Sequence, residues 1–194
     1  SSLSNPLDKW IISDLEKLVK KATDAFDSYM IQDATEALLS FIDDLNNWYI
    51  RRSRRRFWRS ENDGDKKEAY DTLYRVLMTV VKVACPMVPF VTEAIYQNLK
   101  TASDPESVHL CFYPEYNEEE RDFKLEEEMN IIMKTIEMGR ALRASSNLKV
   151  RQPLKEFVVV SRNGAHRENL EKNRDIILEE LNVKNVKVRG DESD

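Results

Sequence analysis

The stretch NNWYIRRSRRRFWR, residues 46–59, concentrates side chains suited to gripping an anion. Six arginines lie between Arg51 and Arg59 with no acid among them, and Trp48, Tyr49, Phe57 and Trp58 stand beside or between them. A guanidinium is a planar, permanently charged fork that takes phosphate or carboxylate through two bonds and stacks on rings. Neighbouring aromatics add faces on which unpaired bases can lie. The chain as a whole is acidic, with a net charge of -5 from 30 basic and 35 acidic residues. Any contact with a polyanion is therefore local rather than a coating of the whole surface.

Other chemistries lack a handle. The two histidines, His109 and His166, belong to no cluster with metal-ligand spacing and read as ordinary loop or surface residues. The chain has no GxxxxGK[ST], GxGxxG or GxSxG, so neither a phosphate cradle nor a nucleophile elbow is present. No metal or cofactor site is expected. The two cysteines, Cys85 and Cys111, lack CxxC spacing and sit among apolar residues, which fits small core thiols in a reduced, cytoplasmic compartment. No apolar run approaches the ~18 residues of a membrane span. From its residues alone the chain offers no reason to be called a catalyst.

The arginines must be positioned by a helix. An apolar stripe of Ala34, Leu38, Phe41, Ile42, Leu45, Trp48 and Tyr49 has helical spacing, with Asp33 as its cap, and it runs straight into the arginines. Continued at about 100° per residue, that helix points Arg52, Arg56 and Arg59 inward. Arg51 and Arg55 fall on a flank and Arg54 points away, while Ile50, Phe57 and Trp58 lie on the outer side. An inward arginine must meet an acid, because an unpaired buried charge is too costly. Arg52 and Arg56 thus read as structural ion pairs, with Glu93 as the partner. The outward face fits either a nucleic acid or a neighbouring protein domain.

Around this element the chain reads as helical and short of turns, with four glycines and six prolines. Asn5-Pro6-Leu7-Asp8 starts a helix whose stripe is Trp10, Ile11, Leu15, Leu18, Val19, Ala22 and Phe26. After a polar break over residues 60–65, a third helix carries Tyr70, Leu73, Leu77, Val80 and Val81 and ends at Cys85-Pro86. Pro89 opens a fourth, with Phe90, Val91, Ala94, Ile95 and Leu99 as its stripe. Residues 101–117 read as irregular, with a short extended piece from Val108 to Phe112. Eight acids between Glu115 and Glu128 read as a solvated lead into a fifth helix through Met129, Ile132, Met133, Ile136 and Leu142. Beyond Pro153 the pattern is strand at 157–160, helix at 169–181 and strand at 183–188. Two strands are too few for an independently stable sheet.

Four segments carry a resemblance: SNPLDKWIISDL at residues 4–15, NNWYIRRSRRRFW at 46–58, AYDTLYRVLMTVVKVACPMVPFVTEAIYQNL at 69–99, and GRALRASSNLKVRQPL at 139–154. They resemble the anticodon-binding helical domain of class I aminoacyl-tRNA synthetases of the isoleucyl, valyl and leucyl group, the isoleucyl members most closely. ELNVKNV at 180–186 is similar to a short motif of their C-terminal junction. The resemblance implies a mainly α fold, with a helical bundle over residues 1–152 and the start of a truncated α+β junction over 153–194. It implies a fragment of a longer enzyme that attaches isoleucine to its tRNA, and Ser1-Ser2 reads as a tag remnant. The class I signature motifs are absent, so no activity is expected of this chain, and ATP and Mg belong to the parent's catalytic domain. The implied partners are the anticodon stem-loop of an isoleucine tRNA, met by Arg51, Arg54, Arg55, Lys149 and Arg151, and the parent's own catalytic domain. A monomer without membrane contact is expected. Two alternatives stay open: a bundle that docks on the catalytic domain without touching RNA, and a valyl or leucyl identity.

Overall fold

The computed structural model describes residues 3–59 and 63–191. Helix α1 spans Pro6–Asp27. Asn5 caps it by accepting the Leu7 N–H at 2.9 Å, and Pro6 occupies the first turn, where its missing N–H costs nothing. Trp10, Ile11, Leu15, Leu18, Val19 and Ala22 are all buried, as the stripe requires. After a turn through Tyr29 at φ 58°, α2 runs from Ile31 to Asp44. Met30 precedes it without a side-chain cap. Asp33, expected as the cap, lies inside the first turn, where its charge favours the helix dipole.

The helical chain continues through a π turn, Leu45–Ile50, directly into α3, Arg51–Arg59. Helix α4 covers Asp63–Ala84 and α5 covers Pro89–Leu99. Residues 60–62 of the expected polar break lie outside the described residues, and Gly64 and Asp65 are already helical. Helix α1 packs on α2 and α4, and α4 packs on α3 and α5. The expected stripe of α5 faces the other way. Its buried side chains are Thr92 and Tyr96, while Phe90 is 90% exposed and Val91 and Ile95 are also exposed. Tyr96 decides this orientation. Its ring joins Met78, Val81 and Val108, and its hydroxyl donates to the Pro105 carbonyl at 2.9 Å. Cys85 and Cys111 pack partly buried against the same cluster as free thiols. The piece expected to be extended at Val108 is a single 3-10 turn, Val108–Leu110.

The contacts divide the chain into two compact units, the first ending at Phe123 and the second starting at Lys124. The division thus falls before the fifth predicted helix rather than at the composition change near residue 152. Helix α6, Phe123–Ser145, accordingly goes with the segment that follows it. Its Glu128 carbonyl accepts from Asn169 at 2.8 Å, and Arg140 pairs with Glu180 at 2.5 Å. Strand β1, Phe157–Val160, pairs in parallel with β2, Val186–Arg189, in the register Phe157↔Val186. The helix expected at 169–181 is two helices, α7 (Gly164–Lys172) and α8 (Arg174–Leu181). Asn163 caps α7, and Asn182 ends α8 in the left-handed conformation at φ 48°. Among the described residues no helix is long and apolar enough to cross a membrane.

Helices α6 and α8 approach closely at Gly139. A Cβ there would meet Leu181 Cδ1 at 2.5 Å, and Leu181 is 1% exposed, so it has little room to yield. Gly139→Ala is therefore expected to destabilise the protein by about 1–3 kcal/mol despite the better helix propensity of alanine. Urea unfolding followed by circular dichroism measures it.

Candidate nucleic-acid interface

The π turn settles which side chains of α3 face the core. An i→i+5 turn takes one more residue than an α turn, so every later residue is set back by about one position on the wheel. Buried residues then recur every four positions, at Leu45, Tyr49, Ser53 and Phe57. Phe57, expected outside, is 8% exposed, and its ring lies 5.1 Å from that of Tyr70. Arg52 and Arg56, expected to point squarely inward, are displaced to a half-buried flank. Trp58 stays outside at 79% exposure. The side chain of Arg59 lies outside the described residues.

Arg56 holds the helix in this setting. Its Nη1 and Nη2 donate to the two carboxylate oxygens of Asp8 at 2.8 and 2.7 Å, and its Nε donates to Asp65 Oδ1 at 2.8 Å. Asp8 is 0% exposed and also accepts from the Tyr49 hydroxyl at 2.7 Å. The hydrogen bond to Asp8 raises the Arg56 pKa above its ordinary value, and burial raises that of Tyr49. Three elements thus meet at one guanidinium: α1 through Asp8, α3 through Arg56 itself, and α4 through Asp65. Glu93 is not the partner. It accepts instead from Ser107 Oγ and the Val108 N–H, each at 2.9 Å, and so anchors the 3-10 turn. Asp8 was legible in principle, since it stands three residues before Ile11 and seven before Leu15, an acid inside an apolar stripe.

With that face locked, the other presents Arg51, Arg54 and Arg55, all exposed, and Trp58, at spacings of three, four and seven residues. Residues so spaced are neighbours on a helix. Arg51 donates through Nε to the Asn47 carbonyl at 2.8 Å, with its guanidinium 6.0 Å from the centre of the Trp48 ring. No ion pair engages Arg54 or Arg55 among the described residues. The result is a cationic ridge ending in an exposed indole. It can grip phosphates through guanidinium forks and offer planar faces to bases.

Lys149 and Arg151 belong to the second unit, in the loop between α6 and β1, and both are exposed. That loop is held from beneath by Arg143, a side chain in which sequence reading saw no role. Arg143 is 4% exposed and donates to the carbonyls of Lys149, Gln152, Leu181 and Asn182 at 3.1, 3.0, 2.6 and 3.1 Å. The Asn182 side chain adds a bond to the Val150 carbonyl at 2.9 Å.

Comparison with known proteins now bears on this arrangement. Residues 8–159 match the family described as the anticodon-binding domain of tRNA ligase. The chain belongs to that family. It is also similar to proteins named isoleucine--tRNA ligase: 54% identical over 186 residues to that of Treponema denticola, 50% over 184 to that of Treponema pallidum, and 45% over 190 to that of Clostridium novyi. These alignments cover 96, 95 and 96% of this chain but only 17, 17 and 18% of those proteins. The mainly α anticodon-binding fold expected from the sequence is the fold observed.

Two features of this anticodon-binding domain lead to measurable consequences. Arg56→Ala would strand the Asp8 carboxylate at full burial, so a loss of about 3–5 kcal/mol is expected, while Arg54→Ala stays within about 0.5 kcal/mol. Thermal melts of the two variants test the difference. The second feature is Asp44, the last residue before the π turn. Burial, with the nearby Asp14 charge adding to it, pushes its pKa up to about 6. The folded state therefore holds a proton that the unfolded chain sheds near the ordinary value of 3.8. That contribution is present at low pH and lost as pH rises through about 6, leaving an unfavourable half-buried charge at neutrality. Asp44→Asn is expected to stabilise the protein by about 1–2 kcal/mol at neutral pH and to have no benefit near pH 4. Melting temperatures across that range would show the gap close.

Proposed function

We propose that this chain is the part of an isoleucine–tRNA ligase that holds the anticodon stem-loop of its tRNA. The ridge of Arg51, Arg54 and Arg55 running to Trp58 carries this reading, because it is exposed while the opposite face of the same helix is locked into the core. Its guanidiniums take backbone phosphates, and bases unstacked in the loop lie on the indole or on guanidinium planes. The second unit carries exposed cations of its own, Lys149 and Arg151, which would take phosphates independently of the ridge. Similarity to proteins named isoleucine--tRNA ligase supports isoleucine as the amino acid rather than valine or leucine.

In that role the chain acts as a monomer in the cytoplasm, beside the catalytic domain of its own polypeptide. Its two free thiols suit a reduced compartment. ATP and Mg supply the activation of isoleucine in the parent enzyme, and the residues here do not fit them. The sequence holds no phosphate-cradling glycine motif, and among the described residues no group of three His, Cys, Asp or Glu side chains is arranged for a metal. A docking surface for the catalytic domain matches α5 better than α3, since Phe90, Val91 and Ile95 leave an exposed apolar face there.

Fluorescence anisotropy with the anticodon stem-loop of an isoleucine tRNA, across a salt series, tests the role of α3. Arg54→Ala and Arg55→Ala should each weaken binding by about 1–3 kcal/mol if directed at a base, or lower the salt slope by about one if directed at a phosphate. Unchanged affinity and slope in both variants would remove α3 from the interface.

A further inference from the structure

The loop that Arg143 holds lies at one end of the small sheet, and two more cations stand at that end. The bridge Leu154↔Val183 and the strand pair Phe157↔Val186 share one register, which sets Lys155 level with Lys184. Neighbouring strands lie about 4.8 Å apart, so two exposed ammonium-bearing side chains start side by side. Backbone bonds hold the two stretches together at this point. Lys184 N–H donates to the Leu154 carbonyl at 2.9 Å, and Leu154 N–H donates to the Asn182 carbonyl at 3.1 Å.

Two ammonium groups that start one strand spacing apart repel each other, since like charges interact unfavourably at such range. The nearby acids do not relieve them. Glu156 pairs with Lys187 at 2.8 Å and Glu180 with Arg140 at 2.5 Å, and among the described residues no ion pair engages Lys149, Arg151, Lys155 or Lys184. Asn182 joins the two halves of the patch, since its side chain bonds the Val150 carbonyl and its own carbonyl receives both Arg143 and Leu154. A rigid end of the unit therefore carries four cations, two of them set against each other with no gain to folding.

We propose that this end of the second unit is a separate binding site for an RNA backbone, with Lys155 and Lys184 straddling phosphates and Lys149 and Arg151 extending the track. The site rests on the reading that the ligand is RNA, and it adds two residues and a rigid platform to that reading. Phosphate contacts of this kind carry no sequence information; they add affinity by releasing counterions and fix the register of the bound strand. Arg143 is the positioning residue, acting through the carbonyls of the loop rather than on the ligand.

The test uses the full chain with a full-length isoleucine tRNA transcript, and Lys155→Glu and Lys184→Glu as separate variants. Either change places a carboxylate level with the remaining lysine, so the melting temperature should hold or rise. In the same variants affinity at low salt should fall several-fold and the salt slope should drop by at least about one. Improved folding with weakened binding is the signature of a site, and no purely structural role of these lysines produces it. Wild-type affinity and slope in both variants, with Arg54→Ala still weakened, would make the patch a solvated surface and leave the α3 reading intact. Loss of melting temperature together with binding would make the lysines structural and overturn the proposal. If Arg54→Ala and Arg55→Ala bind normally while Lys155→Glu and Lys184→Glu do not, the α3 reading fails and the second-unit site stands.

Discussion

The first unit is arranged around one guanidinium. A carboxylate at 0% exposure, Asp8, is tolerable only if a cation reaches it with good geometry, and Arg56 does so through two parallel bonds while a third side of its fork takes Asp65. This fixes more than an ion pair. A helix can rotate about its axis without losing any of its own hydrogen bonds, so something outside it must choose its azimuth. Anchored to the first turn of α1 and to α4, α3 is set in one rotation. Which arginines face solvent follows from that choice, and the exposed cationic face is thus set by the contact that its opposite face makes with the core.

The π turn is the other half of that choice. Were α2 to continue as an α-helix, its stripe would drift until Arg52 and Arg56 entered the core where Ser53 and Phe57 now sit. One extra residue per turn cancels the drift, burying a ring and a small hydroxyl and moving the arginines to a flank from which Arg56 still reaches Asp8. Periodicity made α1 and the apolar first half of the long helix legible, because those stripes keep one phase throughout, whereas in α4 the expected Tyr70 is 50% exposed and the core face is Ala69, Thr72, Val76 and Val81. The phase slip was not legible, since LNNWYI carries no residue that demands a wider turn. It is settled by what the helix packs against, and Phe57 was misplaced for that reason. Helix α5 shows the same limit, because two faces of it look apolar in sequence and only the contacts of Tyr96 choose between them. Glu93 failed as a partner for a different reason. It is one acid among 35, and nothing in its spacing marked it, whereas Asp8 stood inside an apolar stripe.

The second unit buries its arginine differently. Arg143 meets no carboxylate in its four bonds but takes four carbonyls, spending the donors of a charged group on backbone oxygens left over at helix ends and in a tight loop. The distinction has a structural consequence. A carboxylate partner ties two side chains together, whereas four carbonyls tie together three stretches of main chain. The loop bearing Lys149 and Arg151 is consequently held by its backbone, and its side chains remain available. Sequence reading placed those two cations at a turn but had no means of seeing that the turn is rigid, since carbonyl acceptors are present at every residue and leave no mark in composition.

These two solutions explain how an acidic chain can carry a cationic surface. Several of its acids are consumed within the fold: Asp8 on Arg56, Glu120 on Arg75, Glu156 on Lys187 and Glu180 on Arg140. Asp14 and Glu16 are buried as well, while much of the acidic tract after Glu115, including Glu118, Glu119 and Asp122, lies on exposed surface. Net charge governs the long-range field, which salt screens beyond about 8–10 Å, so at closer range the local arrangement decides. Within that distance Arg54 and Arg55 stand exposed with no ion pair among the described residues, and their helix has already lost its rotational freedom to the core. An overall charge of -5 then repels polyanions from most of the surface while leaving these cations uncancelled. The acidic surface and the cationic ridge therefore act at different ranges, the first through the net field and the second only at contact.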